Sequence, residues 1–488
     1  MKASAEDFQA IRRAIAAIPG DLSSDAVGAH AARLDEIYAP EGHAAALDPL
    51  IPIVLGARGT GKSFWAGVLD QAETRAAAAL AYPRLGLDRL EVRVGFAGIP
   101  APGHLAVDAV EKAVPSGAGH AEAKIFWWAT ILRAVLAEGG GNRRMADLLA
   151  LAADWEERGR VLSECEDQLR YRGKVLLVVY DALDRLGRDW PRRRLLTESL
   201  LEVAWEMRAF RFLRIKLFFR PDQIEDEALR FVELPKLRTG AVRLKWSQID
   251  LYGLVFARLA LTADPDAQRA FAALLRNRGI ALDGREQILR RHWVLSRQRE
   301  PQERIMTDLA GPYMGAGALA FRKGKTYDWP FRHLADAFGE VTPRSFLGLL
   351  IAAAQVGLPP EGRVLTPEGL RHGLRAASKT RVDQLHLDFA WIKGVLAPLA
   401  GLLLPQEESK VFAVWKAAGT LDSLTADARA NKYLPPFPLD EPLSERDLYI
   451  ALEKIGVMAR RKDDRLDMPD LFRVAARLLK KGATAPLK

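Results

Sequence analysis

The chain has 488 residues, 49% of them apolar, and a formal net charge of +9. This length suits several domains with buried cores, and its lone cysteine, Cys165, excludes an internal disulfide framework and any cysteine-rich metal site. The basic balance leans toward acidic partners such as nucleotides or nucleic acid, although Arg-, Ala- and Leu-rich composition also arises from a GC-rich genome.

The opening residues lack the basic, apolar and small-residue sections of a signal peptide. The longest apolar runs, 175–180 and 395–404, are too short to span a bilayer, so a cytoplasmic location is expected. Residues 5–46 read as helical, with breaks at Pro19-Gly20 and Pro40-Glu41-Gly42, and are expected to cover the entrance to the loop that follows. Residues 51–55 form a short apolar run that reads as a buried strand. It leads into Gly56-Ala57-Arg58-Gly59-Thr60-Gly61-Lys62-Ser63, which fits the phosphate-loop pattern G-x-x-x-x-G-K-[ST] at every fixed position. Residues 64–75 continue as a helix. In that context glycines let consecutive N–H groups turn toward a polyphosphate at a helix N-terminus. Lys62 would reach the β- and γ-phosphates and the Ser63 hydroxyl would ligate Mg²⁺, with the run from Gly56 to Phe64 touching the nucleotide.

Strand-like runs follow at 90–96, 174–180, 214–219 and 241–246, separated by helical stretches at 121–138 and 147–169. Strands separated by helices predict a mainly parallel sheet with helical crossovers, an α/β fold. After Trp246 the strand signal fades. Helices are expected over 249–278, 284–296, 331–338, 343–356 and 368–404, with an irregular stretch at 310–330 and a linker at 420–442. Residues 443–480 read as helix, hairpin, helix, which resembles the end of a winged helix; the second helix should open at Pro469 and end near Gly482. Arg460, Arg461, Lys462, Arg465, Arg473, Arg477, Lys480 and Lys481 make this module basic and able to contact DNA phosphates, although Asp463, Asp464, Asp467 and Asp470 interrupt the charge. A second basic cluster spans Arg188 to Arg194. The eight histidines are scattered, with no metal-ligand spacing.

Asp181 ends the apolar run 175–180, at the carboxyl edge of the sheet where open α/β folds bind ligands. It is assigned to the Mg²⁺ shell. Asp184 can orient or deprotonate an attacking water, or simply cap a helix. Arg220 follows the 214–219 strand between the acidic and phosphate elements; it is a candidate γ-phosphate sensor, with a salt bridge to Asp222 or Asp226 as the alternative. Lys236 and Arg238 precede the last strand and in a multimer can serve a neighbour's nucleotide as an arginine finger does, or be surface charge. Arg344 opens a helix after Pro343, where the macrodipole disfavours a cation, so a role toward phosphates is preferred for it.

Taken together, GARGTGKS, VLLVVYDALD, IKLFFRPD and GEVTPRSF resemble the AAA+/STAND-type division of P-loop ATPases, and are similar to bacterial ATPases of the KAP and origin-recognition-like groups over roughly residues 35–355. The resemblance implies an αβα sandwich, a helical lid, a winged-helix C-terminus, and ATP hydrolysis or ATP-controlled switching with Mg²⁺. Many members carry adjacent acids after the acidic strand, whereas Asp181 is followed by Ala182, which puts turnover in question. A guanine-reading N-K-x-D fails at Leu434, and no transporter-type L-S-G-G-Q is present. The expected domains are a helical segment at 1–46, an ATPase core at 47–262, a helical lid at 263–358, a helical region with linker at 359–442 and a winged-helix-like domain at 443–488. Three functions compete: an ATP-driven switch or motor, a DNA-binding initiator or loader, and a nucleotide-bound scaffold with little turnover. The expected partners are further copies of the chain, DNA through the C-terminal module, and a separate effector protein. Phage defence enters as a setting by analogy.

Overall fold

Five strands build one parallel sheet: β1 (Ile53–Leu55), β2 (Leu90–Phe96), β3 (Val175–Tyr180), β4 (Leu213–Phe219) and β5 (Val242–Arg243), in the order β2-β3-β4-β1-β5. β1 and β3 are continuous apolar runs, as parallel strands covered on both faces are, whereas edge strand β2 alternates apolar and polar residues and β4 carries Arg214 and Lys216. This computed structural model describes residues 4–19, 32–97, 105, 107–137, 143–186, 190–224, 229–430, 433, 435–437 and 443–487. Two compact units divide the chain, Asp21–Lys245 and Met1–Gly20 with Trp246–Lys488.

The first unit is α/β, with helices packed on the parallel sheet. Helix His120–Leu136 packs on β2 and β3, and helix Lys62–Asp70 on β2, β3 and β4. Trp127 fills the core edge-on to Phe96, Phe126 and Tyr180, and its indole N–H donates to Leu196 O at 3.0 Å. The helical stretch expected at 147–169 breaks at Asp154, whose carboxylate caps helix Trp155–Arg172 by accepting from the N–H groups of Glu156 and Glu157. From that helix the buried Glu166 carboxylate accepts from the N–H groups of Arg211, Phe212 and Leu213 at 2.7 to 3.2 Å, fixing the start of β4.

In the second unit, helix Ala5–Ala16 packs on helices Pro265–Arg276 and Pro343–Gln355. Its Arg12 guanidinium donates to the carbonyls of Val356, Gly357 and Val364. Residues 5–46, expected to act together over the phosphate loop, are therefore divided: the 3-10 turn Glu41–His43 stays in the loop's unit, and helix Ala5–Ala16 does not. Helices Pro343–Gln355 and Pro367–Asp388 form the most extensive helix pair. Their close approach needs Gly373, where a Cβ would lie 2.1 Å from Leu349 O. Residues 420–429, expected within a linker, form helix Thr420–Arg429.

The C-terminal module has helix Glu445–Lys454 and an antiparallel hairpin, after β6 (Leu403–Leu404), of β7 (Ala459–Arg460) and β8 (Leu466–Asp467). The expected closing helix is corrected to one turn, Asp470–Arg473, followed by β9 (Leu479–Lys480) paired in parallel with β6. Buried Arg473 is the reason: its guanidinium donates to Asp470, Leu478 O and Thr484 O, so the chain curls around it. Among the described residues, no helix is long and apolar enough to cross a membrane.

Candidate nucleotide site

The loop is built by constraints that the sequence states residue by residue. Buried β1 runs out at Leu55, and Gly56 N–H still pairs with Phe219 O at 3.0 Å, anchoring the loop's first residue to β4. A Cβ on Gly56 would lie 2.4 Å from Thr60 Oγ1 and 3.1 Å from Lys62 Cγ, so the turn closes only on glycine. Gly59 and Gly61 take φ of 86° and 105°, in the left-handed region that glycine adopts at no steric cost. Thr60 Oγ1 donates to Ala57 O at 2.8 Å and braces the turn.

Helix Lys62–Asp70 then begins with no capping side chain and no acid in its first turn. Its leading N–H groups therefore favour an anion. Lys62 Nζ bends back to Gly56 O at 2.6 Å and Ala57 O at 3.3 Å, which lays the ammonium across the loop mouth where phosphate oxygens can replace those carbonyls. Ser63 and Phe64 sit half-buried in the same first turn, as does Arg58 in the loop.

Asp181 is buried and extends β3 by one residue, its N–H pairing with Phe96 O at 3.0 Å. Ala182 then takes φ 55°, which turns the chain sharply beneath the acid. A non-glycine residue there costs about 1–2 kcal/mol. Because β1, β4 and β3 are parallel neighbours in that order, their carboxyl ends share one sheet edge. The loop and Asp181 are therefore two strand spacings apart, about 10 Å, with β4 between them. The donor set fits Mg²⁺, a hard cation that takes oxygen: the Ser63 hydroxyl and the Asp181 carboxylate would hold it beside the phosphates, mostly through water.

Arg220, at the end of β4, is buried at that edge and forks onto Asp222 at 3.0 and 2.8 Å, while its N–H donates to Gln223 Oε1. The Asp222 pairing is thus present, and Asp226 lies outside the described residues. Asp184 falls in the 3-10 turn Leu183–Arg185, its side chain outside the described residues, as is Arg188 of the second basic cluster. Arg238, in helix Leu234–Thr239, donates to Ile224 O at 2.7 Å, and Lys236 is exposed and paired with Glu233. Arg344 belongs to the second unit, buried in the first turn of Pro343–Gln355.

Sequence reasoning missed what holds the base of the loop. Trp65 Nε1 donates to His43 Nδ1 at 2.9 Å, and His43 Nε2 meets Lys245 O at 3.1 Å, so the ring is a neutral tautomer tying helix Lys62–Asp70 to the backbone after β5. Tyr82 OH donates to Pro40 O. Lys216, fully buried in β4, donates to the carbonyls of Ala46, Asp48 and Ile51 at 2.9, 2.7 and 2.7 Å. The one available signal was a lysine inside an apolar strand.

The C-terminal charges are largely committed. Arg460 pairs with Glu408, Arg461 and Arg465 with Asp463, Lys480 with Asp467, and Arg473 with Asp470. Lys462, Arg477 and Lys481 remain exposed.

No protein-family model matches the chain, and no curated protein matches it. Among solved structures it is similar to a Walker-type ATPase of Pyrococcus abyssi, at 12% identity and a TM-score of 0.34, covering 94% of this chain and 97% of that one. It is also similar to Cdc6p from Pyrobaculum aerophilum, at 11% identity and a TM-score of 0.26, covering 86% and 83%. Neither likeness bears on the chemistry of the site, which follows from the loop and the strand order.

Proposed function

We propose that this chain binds Mg²⁺-ATP in the loop 56–63 and hydrolyses it slowly, as an ATP-controlled switch of the AAA+/STAND type. One observation carries the reading: an uncapped helix start behind a glycine loop shares a sheet edge with a buried acid, Asp181, and a buried arginine, Arg220. Lys62 and the loop N–H groups bind and orient the polyphosphate; Asp181 and Ser63 hold the ion that offsets its charge. Arg220 would read the γ-phosphate by exchanging Asp222 for it, which couples nucleotide state to the segment after β4. Arg344, Arg238 and Asp184 keep their proposed roles as lid cation, neighbour-directed finger and water-orienting acid.

Slow turnover is favoured by Ala182, which stands where a second acid would poise water. The DNA-loader reading is weakened by the ion pairs that occupy most of the C-terminal cations. Phosphate release by the full chain, with and without duplex DNA, tests these readings. Slow release indifferent to DNA is expected. Release stimulated many-fold by DNA would favour the loader, and nucleotide that survives gel filtration without turnover would favour a scaffold.

A further inference from the structure

The scattered histidines hide a constellation that only the fold assembles. His120 opens helix His120–Leu136, while Glu198 and Glu202 stand one turn apart on helix Trp190–Glu206. The two helices pack together, and the Trp127 bond to Leu196 O fixes their alignment. One ligand atom from each of His120, Glu198 and Glu202 falls within 4.8 Å of the others.

The imidazole geometry is the informative part. His120 Nε2 lies 3.1 Å from Glu202 Oε1 and is shielded from solvent, yet it makes no properly directed hydrogen bond. The separation would suit a hydrogen bond but the direction does not, and it is also close to the edge of a coordination tetrahedron, where ligands at 2.0–2.1 Å from zinc stand about 3.3 Å apart. The remaining carboxylate oxygens are already oriented. Glu202 Oε2 takes Lys124 Nζ at 3.2 Å, and Glu198 Oε2 accepts the N–H of Arg230 at 3.2 Å. Such outer partners fix ligating carboxylates and leave the other oxygen for a metal. Lys124 also pairs with Glu206 at 2.6 Å, and Arg158 lies in that carboxylate's field, so the cations nearby are drawn toward Glu206 as well as Glu202.

We propose that His120, Glu198 and Glu202 bind one divalent transition-metal ion that staples the helix following the acidic strand to its neighbour. One imidazole with two carboxylates suits zinc or a similar borderline ion better than Mg²⁺, which prefers oxygen and water alone. The site is separate from the phosphate loop and does not depend on the nucleotide reading.

The full chain is loaded with zinc chloride, desalted and analysed for metal by mass spectrometry, with affinity measured against a competing chelator dye. The expected result is one zinc per chain and a raised melting temperature. His120→Gln and the isosteric Glu202→Gln each weaken binding about 100-fold or more, since losing even an outer partner costs 10- to 100-fold. Lys62→Ala leaves zinc affinity unchanged. Two results overturn the proposal: wild-type protein that retains no zinc, or unaltered zinc affinity in either variant whose circular dichroism shows it folded.

Discussion

Lys216 sits in the middle of β4 with no solvent exposure and its ammonium on three carbonyls. Burial pushes it down to about 7, against a smaller opposing pull from Asp48. The unfolded chain keeps that proton to about pH 10.5, so between these values the unfolded state binds more protons and stability must rise with pH. The cost of the buried charge is fully present below pH 7 and gone above the unfolded value. Urea unfolding of wild type and Lys216→Met at pH 7 and pH 10 should show wild type gaining stability relative to the variant; parallel pH profiles would contradict this assignment. Arg220 gives a second residue-scale test. If it trades Asp222 for the γ-phosphate, Arg220→Lys keeps the charge but loses the fork, and turnover should fall about 10- to 100-fold with ATP affinity little changed. A change confined to affinity would remove Arg220 from the sensor role. At this scale, Lys62, Ser63 and Asp181 were legible because each belongs to a local pattern. The carbonyl cage of Lys216 and the Trp65–His43 bond were not, because their partners lie far away in the sequence.

Among the elements, β4 decides the geometry of the site, since it separates the loop strand from the acidic strand and delivers Arg220. Its start is held by Glu166, which gathers three backbone N–H groups, that of buried Leu213 among them. Glu166→Gln replaces one oxygen with a donor facing those donors and should cost about 2–3 kcal/mol in chemical denaturation, the worth of a charged hydrogen bond plus an orphaned group. A loss below about 0.5 kcal/mol would mean that β4 is positioned by packing alone. Strands β1, β3 and β4 were legible as largely apolar runs because inner parallel strands are buried on both faces, and edge strand β2 by its alternation. The last helix was misread because its apolar spacing suits a helix, while buried Arg473 draws carbonyls from beyond its own turn and bends the chain into β9. Prolines beyond residues 420–429 dominate the local signal and suggest a linker there, but helix Thr420–Arg429 packs on helix Glu408–Ala417.

At the scale of the whole molecule, a +9 chain invites nucleic-acid readings, and the ion pairs limit them. With Lys462, Arg477 and Lys481 as the exposed, uncommitted cations among the described residues of the C-terminal module, DNA binding through them should show a log–log salt slope no steeper than about −3, near 0.9 per phosphate contact. A slope of about −6 or steeper would mean that the acid pairs open on DNA. The central claim is that one glycine loop and one acidic strand end form a single Mg²⁺-ATP site, and titration calorimetry of ATP into wild type, Lys62→Ala and Asp181→Asn, each with and without Mg²⁺, tests it most directly. One ATP per chain is predicted for wild type, weakened about 10- to 100-fold in Lys62→Ala by loss of a charged contact, and insensitive to Mg²⁺ in Asp181→Asn. Equal affinity in Lys62→Ala and wild type would contradict it.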